Sequence, residues 1–291
     1  MGRGQLRAIK GRIESTRSTE HITHAMEMVA TAKVNKALRN WKAFSSYVER
    51  VDELVRDCIS GLEDSHPLLY DPSMAYHQTA VFLITSDMGL AGAYNLDLIR
   101  TAEEEASKLG EKFAGYMVIG TKGCSNFRYR NRKILYDEDR FYDKPSFSTA
   151  EMLVNRMLDI LEDKKADSFK VVYSHFHSSL LQTPKVMDLI PIVPAQSKSP
   201  DRSYRIEYEF EPEPAKLLDE ALPLYLKSHV LSFLLESQVS ELYSRQNAMR
   251  NATENAENLI ERFTLDYNKA RQSSITQEII EIVNGAEALK G

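Results

Sequence analysis

The chain has 291 residues but only two cysteines, Cys58 and Cys124. Neither sits in a CxxC or CxxxH spacing, so structural zinc, a dithiol redox centre and a disulfide framework find no support. Two isolated thiols fit a reducing compartment. Long hydrophobic runs are missing too: no apolar stretch approaches the ~18 residues of a membrane span. The opening "MGRGQLRAIKGR" is too polar for a signal peptide. A net charge of −5 supplies no general attraction to nucleic acid or anionic lipid. Work at a membrane would therefore go through a partner. At 43% hydrophobic and 27% charged, the composition is that of a folded, soluble protein.

Glycine and proline are unevenly absent. Neither occurs from Arg12 to Ser60, nor from Leu224 to Asn284. Uninterrupted helices of those lengths would span roughly 75 and 90 Å, well beyond the ~30 Å of an ordinary domain. The first stretch carries Ile13, Ile22, Met26, Val29, Ala37, Trp41, Phe44, Val48, Val51 and Val55, mostly three, four or seven apart. The second carries Leu231, Leu235, Leu242, Met249, Ala252, Ala256, Leu259, Phe263 and Ala270. Each reads as a helix with one apolar stripe, and two such stripes can bury one another. With a compact middle, the ends pair antiparallel.

The middle, about 75–205, changes rhythm. "TAVFLITSD" (79–87), "FAGYMVIGT" (113–121), "SFKVVYSHF" (168–176) and "VMDLIPIV" (186–193) read as strands. Helical patterns at Leu96–Leu109 and 149–163 alternate with them. This predicts a small, mostly parallel sheet. "EPEP" (211–214) and Pro223 mark the approach to the last helix.

Few patterns suggest chemistry. "SDMGLAGAYN" (86–95) lies between strand and helix, where phosphate loops sit, but its glycines at 89 and 92 fit neither G-x-G-x-x-G nor G-x-x-x-x-G-K-[ST]. A tight turn is the better reading. His21, His24 and Glu27 share nearly one helical face, a partial zinc set without a nameable fourth ligand; solvated helix surface is the better reading. His175 and His177 share a strand face and are likewise read as surface. No Ser/His/Asp or Cys/His arrangement is recognisable. Lys33, Lys36, Arg39 and Lys42 form a basic band suited to acidic partner segments, although solubilising charge explains it equally well. Near the end, Asn268–Gln277 is mostly small or polar, and Ile279, Ile280, Ile282 and Val283 then crowd four branched apolar residues into five positions. One partner helix cannot cover them all; a surrounding apolar collar could.

"ITHAMEMVATAKV" (22–34), "ITSDMGLAGAYN" (84–95), "NAMRNATENAENLI" (247–260) and "YNKARQSSITQEIIEIVNGAEAL" (267–289) together resemble the gamma subunit of F-type ATP synthases, in the same order along the chain. The resemblance implies an α/β protein in which N- and C-terminal helices (1–62 and 212–291) form a long antiparallel coiled coil beside a Rossmann-like domain (75–205). It implies a central stalk rotor that transmits torque between a membrane c ring and a ring of alpha and beta subunits, contacts epsilon, holds no cofactor and performs no bond chemistry. By motif match, Arg271, Gln272, Thr276 and Glu278 fall in the coupling region, Met26 at the packing position on the opposing helix, and Lys33 and Lys36 on the basic shaft surface. Tyr204 and Tyr208 are expected near the foot, towards epsilon and the c ring. Departures exist: His21 and His24 stand where lysines are common, Met88 where arginine is frequent and Ala93 where glycine is. Without a transit peptide or a cysteine-bearing insertion, a bacterial origin and a peripheral place on the cytoplasmic face of the inner membrane are expected. A nucleotide-binding enzyme with a helical dimerisation arm and a coiled-coil tether are the rival readings.

Overall fold

The computed structural model describes residues 2–60, 66–71, 76–140, 145–193 and 214–288. Ten principal elements follow in chain order: α1 (Gly2–Ser60), β1 (Thr79–Ile84), α2 (Tyr94–Leu109), β2 (Phe113–Ile119), α3 (Thr121–Tyr129), β3 (Ile134–Glu138), α4 (Phe147–Glu162), β4 (Ser168–Phe176), β5 (Gln182–Ile190) and α5 (Pro214–Ala288). The chain divides into two compact units, residues 32–244 and residues 1–31 with 245–291.

In the larger unit the strands lie in the order β3-β2-β1-β4-β5. β1 pairs in parallel with β2 and β4, β2 in parallel with β3, and β5 runs antiparallel to β4. Every residue of β1 is buried, as expected of a central parallel strand covered on both faces. Strand alternation divides its side chains. Ala80, Phe82 and Ile84 join a core with α4, the last turns of α1 and the first turns of α5. Val81 and Leu83 join a second core with α2 and α3. The sequence missed β3 and α3, both short and polar, and placed the fifth strand four residues too late. Pro223 does not precede the last helix but lies inside it. Ser146 caps α4, its hydroxyl accepting from the Thr149 N–H at 3.3 Å. His175 is not free surface either: its Nδ1 lies 2.5 Å from Oε1 of buried Glu236, the oxygen that also accepts the Phe176 N–H at 3.0 Å.

The lower part of α1 packs within this unit through Val34, Ala37, Trp41, Phe44, Val48, Val51, Val55 and Cys58, alternating three and four apart. Val34 and Ala37 form a third cluster with Val239 and Leu242 of α5.

In the smaller unit, the same three-four alternation selects Leu6, Ile9, Ile13, Thr16, Glu20, Thr23, Glu27 and Ala30 as the covered face of α1. Its counterpart on α5 is Met249, Thr253, Ala256, Ile260, Phe263, Tyr267, Ala270 and Ser274. Three cross-helix contacts fix the antiparallel register. The Gln246 amide donates to Thr31 Oγ1 at 2.8 Å, Arg250 Nε donates to Glu27 at 3.0 Å, and Thr253 Oγ1 lies 2.8 Å from Thr23 Oγ1. Both seams are heptads, so this is an antiparallel coiled coil. The buried face is not the apolar stripe expected from sequence: Ile22 and Val29 are 58% and 56% exposed, and Leu259 is exposed while Ile260 is covered.

Candidate partner-docking surface

The heptad seam leaves two outward strips on α1 in the smaller unit. At 100° per residue, Lys10, Arg17, His21, His24 and Met28 fall on one strip, all exposed. Ile22, Met26 and Val29 fall on the next, with Met26 half-buried. The possible zinc set resolves into local pairs: His21 Nδ1 is 3.1 Å from Glu20, and His24 Nδ1 is 3.9 Å from Glu27, which Arg250 already holds. Among the described residues no group of three His, Cys, Asp or Glu is arranged to hold a metal ion.

On α5, Gln272 and Thr276 stand one turn apart, the Thr276 hydroxyl donating to the Gln272 carbonyl at 3.0 Å. Arg271 and Glu278, seven residues apart, line an adjoining strip, and all four residues are exposed. The register sets Met26 beside residue 250 and Arg271 beside residue 5, so about 30 Å of helix separates Met26 from Arg271 along the axis. The expected residues thus form separate levels and not one pocket. Past Ser274 no residue of α5 through Glu287 is covered: Ile275, Ile279, Ile280, Ile282 and Val283 all face outward, Ile282 at 70%. Five large aliphatic side chains on two and a half turns are far more apolar surface than a lone helix end gains from displaying in water.

In the larger unit, Lys33 and Lys36 are exposed, as are Arg39 and Lys42, and none of the four pairs with a carboxylate among the described residues. Tyr204 and Tyr208 lie outside the described residues. The strand-to-helix loop after β1 is a self-satisfied turn. Gly92 and Leu90 adopt left-handed conformations, φ 58° and 63°. Asn95 at the start of α2 reaches back to the Ser86 N–H at 3.0 Å. Asp87 Oδ1 accepts from the N–H and hydroxyl of Thr121 and from the Arg140 N–H, at 2.9, 3.0 and 3.1 Å. From the loop after β1, the chain's own carboxylate thus caps the N-terminus of α3.

Comparison with known proteins defines the class first: the model of the ATP synthase family matches residues 5–289. An ATP synthase gamma chain from Frankia casuarinae is 38% identical, covering 98% of each chain. One from Cutibacterium acnes is 39% identical over 98% of this chain and 96% of its own. Among solved structures, a chain of the Euglena gracilis mitochondrial ATP synthase OSCP/F1/c-ring shares the fold with a TM-score of 0.71 at 17% identity, over 99% of this chain and 95% of that one. A chain of the Tetrahymena thermophila mitochondrial ATP synthase central stalk and c-ring shares it with a TM-score of 0.60 at 24% identity, over 79% of this chain and 99% of that one. The chain belongs to the ATP synthase gamma chain family. No helix among its described residues is long and apolar enough to cross a membrane.

Proposed function

We propose that this chain is the central rotor of an F-type ATP synthase and that it works by contact alone, with no bond made or broken on it. The observation that carries the reading is the bare end of α5. The intramolecular seam stops at Ser274, and the aliphatic turns beyond it have no cover within the described chain. A ring of alpha and beta subunits supplies an apolar collar for Ile279–Val283. The Asn268–Gln277 stretch, small and polar, rests inside that ring without strong adhesion at one angle. Arg271, Gln272, Thr276 and Glu278 exchange polar contacts there at successive stops. Met26 faces acidic loops of the ring, and Lys33 and Lys36 offer them unpaired cations. The sheet-bearing part of the larger unit is the foot, with Tyr204 and Tyr208 near epsilon and the c ring. Membrane association runs through those partners, at the cytoplasmic face of a bacterial membrane, and neither nucleic acid nor a cofactor takes part.

Native mass spectrometry of the complex purified through a tag on this chain tests the reading. One copy with a ring of alpha and beta subunits is expected; a homodimer without a ring overturns it. Calorimetric titration with ATP should give no binding to the isolated chain, since the loop after β1 lacks a phosphate-binding glycine pattern and satisfies its own polar groups.

A further inference from the structure

A cavity of about 590 Å³ opens at the end of the sheet where β1 and β4 begin. Leu68, Leu158, Leu161, Ala166 and Ile190 make its walls. Those walls are pinned from several directions. The segment at Leu68 is tied to the sheet by the Ile192 N–H donating to the Leu68 carbonyl at 2.7 Å and by the Tyr70 N–H donating to the Ile192 carbonyl at 3.0 Å. Cores of folded proteins close around apolar side chains at crystal-like density. A pre-formed apolar space of this size lies within the range of small-molecule sites, about 300–1,000 Å³.

The mouth carries four polar residues, Gln78, Glu162, Lys164 and Asp167. Asp167 is already used: its carboxylate accepts the His77 and Gln78 N–H groups at 2.5 and 3.0 Å and the Ser168 hydroxyl at 3.0 Å. The Lys164 ammonium has no partner among the described residues. Lys164 also holds a left-handed backbone, φ 54°, just past the end of α4, a position that favours glycine. A lysine there carries backbone strain that a glycine would avoid. Glu162, exposed at the same mouth and without an ion-pair partner among the described residues, adds a charge of opposite sign, so the mouth does not suit a polyanion such as a nucleotide.

We propose that this cavity is a binding site for a single-chain amphiphile, its hydrocarbon body against the leucines and a lone carboxylate on Lys164. The site is independent of the docking surfaces above.

Decanoate, below its micelle concentration, is the probe, with decanol and decylamine as controls, titrated calorimetrically into the full chain. One saturable decanoate site is expected, with both controls roughly ten- to hundred-fold weaker, as the loss of one charge-assisted bond predicts. Lys164→Gly should bring decanoate down to the level of decanol while leaving the melting temperature equal or higher, because it removes the left-handed lysine. Ala166→Phe should abolish binding by filling the space, and if that variant does not fold, Lys164→Gly decides alone. Absence of a saturable site, or equal binding of decanoate and decanol, overturns the proposal. So does a Lys164→Gly chain that binds decanoate as the unaltered one does.

Discussion

Asp87 shows how a single side chain can tie separate connections together. Its oxygen accepts three donors from α3 and the segment after β3, and the loop after β1 becomes a joint. Asp87→Ala should lower stability by about 1–2 kcal/mol, the scale of a lost cap with its stranded donors, measured by urea unfolding of the isolated chain. It should not create nucleotide binding. The tightness of the joint also shows at Gly120, where a Cβ would lie 2.1 Å from the Thr85 carbonyl oxygen. Cys124, fully buried behind it, has its thiol pushed up to about 12, first by burial and then by Asp139. Because the folded value is raised, its contribution to stability is complete below pH 9, the ordinary value, and is lost as pH rises from 9 towards 12. Native protein at pH 8.5 should therefore resist iodoacetamide at Cys124, while urea-unfolded protein reacts; equal rates would contradict the assignment. The turn was legible in the glycine spacing, but its capping carboxylate was not. Asp87 finds Thr121 across 34 residues, a pairing made by strand order alone. His175 escaped for the same reason, since Glu236 reaches it from α5.

At the scale of the helix, the two terminal elements were legible because glycine and proline are missing from most of their length, yet their buried face was not. A search for an apolar stripe selects Ile22, Met26 and Val29. The seam instead runs through Thr16, Glu20, Thr23 and Glu27, continuing backwards the three-four alternation of Val34, Ala37 and Trp41. Polar residues at seam positions specify register at some loss of stability, and here Thr23 and Glu27 meet Thr253 and Arg250 across the seam as a hydroxyl pair and an ion pair. The apolar residues freed from the seam become outer surface, which is what a helix with external partners requires. Met26→Lys should add an ion pair with an acidic partner loop and weaken the coupling of pumping to ATP turnover in reconstituted complexes; normal coupling would remove Met26 from the docking surface. Gly11 lies inside α1 with nothing within 4 Å of an added Cβ. Gly11→Ala should stabilise the isolated chain by about 0.5–1 kcal/mol, the helical difference between the two residues, read from thermal unfolding.

For the whole molecule, the fold class followed from alternation: β-branched runs separated by helical patterns gave the parallel sheet, and the two unbroken stretches gave the coiled coil. What did not follow was the antiparallel fifth strand's extent or β3, because an edge strand of mixed polarity carries no strong period. Nor could the sequence separate the levels at which Met26 and Arg271 act, since that depends on a register set by Thr23, Glu27 and Thr31. The account rests on the paired ends turning as an axle inside a ring. A cysteine at Tyr129, 88% exposed on α3, offers a selective handle because Cys58 and Cys124 are both buried. With the ring fixed to glass and a bead on that handle, addition of ATP should produce sustained rotation in one direction. A stationary or randomly fluctuating bead, while the same complexes hydrolyse ATP at their normal rate, would contradict it.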